Sequence, residues 1–221
     1  LMIAGCQKEE EVSQVAAPSP EFVAWSESGL EDHVMDWKDE NLAAAMSEYT
    51  GITDREIMLS DVYELKEIKL NEKGISNVEA LNELTNLQYL TLESNNITDI
   101  SCLTDLKNIV FLNLYINQVT DISGVAHMPL LQDARLEYNQ ITDVSPLKDL
   151  QYIERLYLYS NQIEDISDLK GLVTLKDLRI DYNPIKDISV LKNFKNLECL
   201  NIMSIEAKDT KVINKLKNLK Q

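Results

Sequence analysis

From Leu65 onward the apolar residues of this chain recur in a frame of 22 residues, which restarts without insertion or deletion at Leu87, Ile109, Leu131, Ile153, Leu175 and Leu197 and closes at Asn218. Within each unit the apolar positions are 1, 4, 6, 11, 14, 17 and 20, as in Leu87, Leu90, Leu92, Ile97, Ile100, Leu103 and Leu106. Departures are few: Ala134 stands at position 4, Ala207 at position 11 and Thr210 at position 14. Positions 4 and 6 alternate as a short strand with one buried face does, whereas positions 11 to 20 recur every three residues, the period of a tight helical turn. One unit cannot bury its apolar side alone, so neighbours stack, their strands pair in parallel, and a continuous core runs along the stack. The expected fold is an α/β solenoid. It is a right-handed superhelix with a parallel sheet on its concave side and short 3-10 or turn-like return segments on its convex side.

Two polar rows run through the same frame. Position 9 is Asn in the five inner units, at Asn95, Asn117, Asn139, Asn161 and Asn183, and is replaced by Lys73 and Ile205 in the end units. A side-chain amide both donates and accepts, so a stacked ladder of asparagines can satisfy backbone groups where each strand is left. Asp at position 13 (Asp99, Asp121, Asp143, Asp165, Asp187) followed by Ser at position 15 suits capping of the return segment. The pattern Leu-x-x-Leu-x-Leu-x-x-Asn-x-Ile-x-Asp-Ile-x-x-Leu-x-x-Leu resembles the leucine-rich repeats of the internalin family of bacterial surface proteins. It covers 154 of the 221 residues. A eukaryotic phosphatase-regulating scaffold uses similar units, which leaves an intracellular regulatory scaffold as the alternative.

Bare solenoid ends would expose core and unpaired strand edges, so caps are expected. Residues 39–49 read as a helix with Leu42, Ala45, Met46 and Tyr49 on one face, Asp39 as start signal and Gly51 just beyond the end. Leu30, Val34 and Trp37 mark a shorter amphipathic stretch before it, and Ser60-Asp61-Val62 begins a turn into the first strand. The run WKDENLAAAMSEYTG is similar to the helical cap of internalin-type proteins. Residues 209–220 place Val212, Ile213, Leu216 and Leu219 on one helical face, with lysines outside. The organisation expected is a signal-peptide remnant over 1–6, a flexible acidic tether over 7–21, a helical cap over 22–64, seven repeats over 65–218 with the last also closing the stack, and a tail over 219–221.

Charge is concentrated ahead of the repeats: residues 1–64 hold 15 acids and 3 bases, the rest 22 acids and 18 bases, for a net charge of -16. No basic stripe of the kind phosphate contacts require stands out, so nucleic acid is not an expected partner. Ile3-Ala4-Gly5-Cys6 resembles a bacterial lipobox, which implies lipidation at Cys6 and a place on the outer face of a bacterial membrane; without the lipid the protein would be cytoplasmic. The polar stretch after it, with Pro18 and Pro20, has the composition of a tether. Cys102 and Cys199 lie four repeats apart, on the order of 20 Å at ~4.8 Å per strand. A disulfide spans about 7 Å at most between Cα atoms, and both are expected to be free thiols.

Function is expected on the strand positions that miss the core, namely 3, 5, 7 and 8. These collect Tyr89, Phe111, Tyr115, Tyr138, Tyr157, Tyr159 and Tyr182, interleaved with Arg135, Arg155 and Arg179 and with the acids Glu93, Asp133, Glu137, Asp177 and Asp181. Aromatic and Arg side chains on a rigid sheet are typical anchors of binding surfaces. A protein ligand is expected on this face, with a glycan as the second choice, and the chain is expected to be monomeric. Position-7 acids two units apart are about 10 Å from one another, near the upper limit for an inverting glycosidase pair. Such a pair also needs a sheltered carboxyl of raised pKa, which an open sheet is not expected to offer. His33 and His127 belong to different regions, and no metal or cofactor motif is evident. The chain therefore reads as a binding module rather than an enzyme.

Overall fold

Each of the seven units contributes one three-residue strand in the computed structural model, which describes residues 16–220. The strands are β1 (Glu67–Lys69), β2 (Tyr89–Thr91), β3 (Phe111–Asn113), β4 (Asp133–Arg135), β5 (Arg155–Tyr157), β6 (Asp177–Arg179) and β7 (Cys199–Asn201). They form one parallel sheet in chain order. Register is unit on unit: Tyr89 faces Phe111, Phe111 faces Asp133, and so on to Cys199. Six 3-10 segments, such as Ser123–His127 and Ser167–Gly171, return the chain on the other side. The apolar frame is the core, with Leu87, Leu90, Leu92, Ile97, Ile100, Leu103 and Leu106 all fully buried. This is the leucine-rich-repeat solenoid that the spacing predicts.

The asparagine ladder ties each unit to the one before it. Asn139 Nδ2 donates to Leu136 O and Glu137 O of its own turn and to Leu114 O of the preceding unit, while its Oδ1 accepts from the Val119 amide of that unit. Asn95, Asn117, Asn161 and Asn183 bridge the carbonyl and amide of their preceding units in the same way. The aspartates act two residues on rather than as ordinary helix caps: Asp121 Oδ1 accepts from the Ser123 amide and Asp165 Oδ1 from the Ser167 amide.

Position 8, just ahead of the ladder, is left-handed throughout. Glu72, Ser94, Ile116, Tyr138, Ser160, Tyr182 and Ser204 all have φ between 53° and 57°. The reversal turns the chain so that the next side chain can enter the stack. None of these residues is glycine, and a β-branched side chain is the costliest there. Replacing the exposed Ile116 by Asn is expected to raise stability by about 1 kcal/mol, read as a higher urea midpoint; an unchanged midpoint would show that the position is unstrained.

Units 2 and 3 approach closely at their return segments. Asp99 and Asp121 form an extra parallel bridge, and a Cβ on Gly124 would fall well inside van der Waals contact of the Ile100 carbonyl oxygen. That oxygen belongs to backbone and cannot swing aside. Gly124→Ala is expected to lower stability by about 2 kcal/mol, whereas Gly171→Ala, where the nearest backbone oxygen is 3.1 Å away, costs less. Equal costs would argue against the tight approach.

At the N-terminal end, helix α1 (Trp25–Ser28) precedes α2 (Glu40–Thr50) and α3 (Leu59–Val62). Asp39 caps α2 by accepting from Leu42 N–H, and its other oxygen accepts from the Ser76 amide and hydroxyl and the Asn77 amide of unit 1. Burial raises its pKa, but these hydrogen bonds outweigh that and hold it at about 2. Gly51 ends α2 in a left-handed conformation. The expected helical stretch through Leu30, Val34 and Trp37 does not form. Val34 pairs with Met58 in an antiparallel bridge and stays exposed, as does Leu30, while Trp37 alone of the three is buried. The helix expected over 209–220 is likewise only the 3-10 turn Lys211–Lys215, with Leu216 buried beyond it. Its apolar spacing of three is the repeat's own frame, and stacking on unit 6 selects the tight turn.

The last residue of the stretch read as tether and the first residues of the cap are docked on the flank of the stack. The Glu21 amide donates to Asn108 Oδ1 while Asn108 Nδ2 donates back to Glu21 O, and Val23 makes the same two-way pair with Asn86. Trp25 stacks edge-on against Tyr63, with 5.5 Å between ring centroids. Asn86 and Asn108 share position 22 of successive units, so the segment is read through its main chain at alternate residues. Cys102 is a free thiol, but Cys199 is disulfide-bonded, which corrects half of the cysteine expectation. The distance along the stack rules out only a bond between those two.

Candidate functional site

Strand alternation sends positions 3, 5 and 7 away from the core, and the 22-residue register brings like positions side by side on neighbouring strands. Across β3 to β6, position-5 and position-3 side chains build a ladder of rings and guanidinium groups. Arg135 lies 5.1 Å from the Phe111 ring centroid and 5.9 Å from that of Tyr157, and Arg179 lies 4.3 Å from Tyr157. Such contacts contribute about 0.5 to 1 kcal/mol each. Beside the ladder, Tyr138 packs edge-on against both Tyr115 and Tyr159, at 5.5 and 5.2 Å.

The acids are placed differently from the outward-facing strip expected of them. Asp133, Glu137, Asp177 and Asp181 are all buried. The longer Tyr and Arg side chains of adjacent strands close over the shorter carboxylates. Two acids are compensated: Arg155 Nε donates to Asp133 Oδ2 at 2.8 Å, and Tyr157 OH donates to Asp177 Oδ2 at 2.8 Å, with Arg179 3.2 Å from that oxygen. Others are not. Asp133 Oδ1, Glu137 Oε2 and Asp181 Oδ1 are buried with no hydrogen-bond partner, as is Arg135 Nε, which is 3.5 Å from Asp133 Oδ1.

Titration follows from this burial. Glu137 is pushed up to about 7 by desolvation, against the pull of Arg135 and Arg179. Desolvation also raises Asp181. Tyr157 is raised to about 12 by burial and by Asp177, and Tyr159 is raised by burial, by Glu137 and by its hydrogen bond with Tyr115. The expectation that an open sheet shelters no carboxyl of raised pKa is therefore corrected at Glu137. Acid–base catalysis on a glycoside needs two carboxyls whose pKa values are driven apart, whereas burial moves Glu137 and Asp181 in the same direction. Among the described residues no group of three or more His, Cys, Asp or Glu is placed to hold a metal ion.

Of the residues expected to meet a partner, Phe111, Tyr115, Arg135, Tyr138, Arg155, Tyr157, Tyr159 and Arg179 converge on this central patch. Tyr89 stands exposed on β2 toward the cap, and Tyr182 lies at the other flank with its hydroxyl 3.3 Å from Met203 Sδ. Cys6 lies outside the described residues. The buried carboxylates were missed as a group, although Asp133 and Arg155, 22 residues apart at position 3, carried the signal of a cross-strand ion pair.

The family model for leucine-rich repeats in two copies matches residues 85–127 and 129–171. No curated protein matches the chain by sequence. Among solved structures, internalin C2 of Listeria monocytogenes is similar at 27% identity with a TM-score of 0.66, over 95% of this chain and 98% of that one. A leucine-rich-repeat protein of Leptospira interrogans is similar at 24% identity and TM-score 0.56, over 72% of this chain and 48% of that one. A plant peptide hormone receptor solved in complex with RGF2 shares the fold at 22% identity and TM-score 0.58, over 66% of this chain and 25% of that one. The chain is thus internalin-like in structure. Among the described residues no helix is long and apolar enough to cross a membrane.

Proposed function

We propose that the sheet face of this solenoid is a protein-binding surface displayed outside a bacterial cell. The observation that carries the reading is the patch on β3 to β6. Its rings and guanidinium groups are already ordered by one another and by buried acids, so little side-chain freedom is lost when a partner docks. Leucine-rich-repeat folds serve as binding modules, and the similar plant receptor was solved with RGF2 bound. Tyr115→Ala combined with Tyr159→Ala is the test. Capture of surface proteins by the double variant should fall well below that of wild type, and unchanged capture would move the site elsewhere.

Lipid attachment at Cys6 is the finer part of the proposal and rests on the lipobox-like run alone. Two or more acyl chains give stable anchoring. Cells fed a labelled fatty acid should label the protein and lose that label in Cys6→Ala; an unlabelled wild-type protein would return the intracellular scaffold as the better reading.

A further inference from the structure

We propose that the central patch accepts a basic side chain of the protein partner, an arginine or lysine, on the carboxylate of Glu137 between Tyr115 and Tyr159. The inference deepens the binding-face reading and rests on it. Glu137 is 5% exposed and its Oε2 has no hydrogen-bond donor. A buried carboxylate oxygen without a donor is costly, so the site favours any group, from water or from a partner, that can donate to it.

The neighbours on each element do not supply it. On β4, Asp133 is an acid engaged by Arg155, and Arg135 is held between the Phe111 and Tyr157 rings, with its Nε 3.5 Å from Asp133 Oδ1 and no hydrogen bond to Glu137. On β6, Arg179 is engaged by Asp177 and Tyr157, and Asp181 just beyond is itself an acid with a buried unpartnered oxygen. The flanking groups at position 7, Tyr115 and Tyr159, stand on either side of the acid with their hydroxyls hydrogen-bonded to each other, so neither donates to it. Cations favour both features: a carboxylate to pair with and π faces beside it. Tyr138, an exposed ring, packs edge-on against both tyrosines and adds a third π face to the slot. Because the carboxyl holds its proton up to about pH 7, a cationic ligand should bind better above that pH than below it.

The probe is an acetylated, amidated peptide of alternating glycine and arginine, compared with the same peptide carrying neutral citrulline, titrated calorimetrically at about pH 8 and about pH 6. The arginine peptide should bind wild type at the higher pH. Binding should weaken about tenfold or more in Glu137→Gln, on lowering the pH, and with citrulline. Glu164→Gln, an exposed acid in a surface ion pair, controls for the chain's overall negative charge and should bind as wild type does. Four results overturn the proposal: no binding, equal binding to Glu137→Gln, equal loss in Glu164→Gln, or citrulline binding as well as arginine, which would mark a neutral ligand such as a glycan. If Tyr115→Ala with Tyr159→Ala weakens binding while Glu137→Gln does not, the face stands and the acid's role falls. If neither matters, the face reading falls with it.

Discussion

Asn139→Ala should destabilise the solenoid by about 4 kcal/mol, the largest loss expected of any single substitution proposed for this chain. The amide is buried at the midpoint of the ladder and holds three carbonyls and one N–H, two of these four partners in the preceding unit. Alanine removes all of them and opens no path for water to the orphaned Val119 amide and Leu114 carbonyl. Each buried group left unpaired costs roughly 1 to 3 kcal/mol, so even partial relaxation leaves a loss of several. Repeat proteins distribute stability between units and their interfaces. The damage should therefore sit at the junction of units 3 and 4, and hydrogen exchange should quicken there first. Urea denaturation measures the size; a loss under 1 kcal/mol would mean that the ladder is ornamental.

Glu137→Gln is expected to act in the opposite direction and to depend on pH. The carboxyl titrates at about 7 in the folded protein against an ordinary 4.5. A raised folded value means that the folded state holds the proton more tightly. Stability is therefore full below about pH 4.5, falls as pH rises toward 7, and levels off above it at a cost of about 3 kcal/mol. An uncharged amide of the same shape avoids that cost, although it also forgoes the attraction of Arg135 and Arg179. At about pH 8 the variant should be more stable than wild type by up to about 3 kcal/mol, and near pH 4.5 the two should nearly coincide. Urea midpoints of both proteins at the two pH values decide the matter. Parallel pH profiles would show that Glu137 reaches water and titrates normally.

A group that destabilises its own fold at neutral pH fits a binding site more readily than a scaffold. The solenoid tolerates it because the ladder and the apolar core on either side are regular and nearly complete. The two predictions are linked, since Asn139 Nδ2 holds the turn that carries Glu137 by donating to its carbonyl oxygen. Loss of the ladder residue should loosen the acid's surroundings and lower its pKa toward the ordinary value.

The ends of the chain show where local pattern misleads. Val212, Ile213, Leu216 and Leu219 suit an α-helix as well as they suit the repeat, and only stacking on the sixth unit chooses the 3-10 turn. Leu30, Val34 and Trp37 likewise fit a helix, yet the Met58 backbone takes Val34 into a bridge. A segment rich in Pro, Glu and small residues has a tether's composition, and nothing local reveals that position-22 asparagines will grip the main chain at its last residue, Glu21, and at Val23 just beyond it.

The sequence by itself determined the seven-unit stack, the sheet register, the core and the asparagine ladder. Each follows from a period of 22 repeated so often that only one arrangement buries all of its apolar positions. It also identified the face, because strand alternation is local. Tertiary structure alone decided what that face is. Whether an acid at position 3 or 7 stands in water or sinks beneath its neighbours depends on the side chains 22 residues away on either side, whose lengths, rings and charges matter only once the units are stacked. The tyrosine and arginine strip read from the sequence is thus the visible half of the site, and the buried carboxylates beneath it are the half that stacking creates.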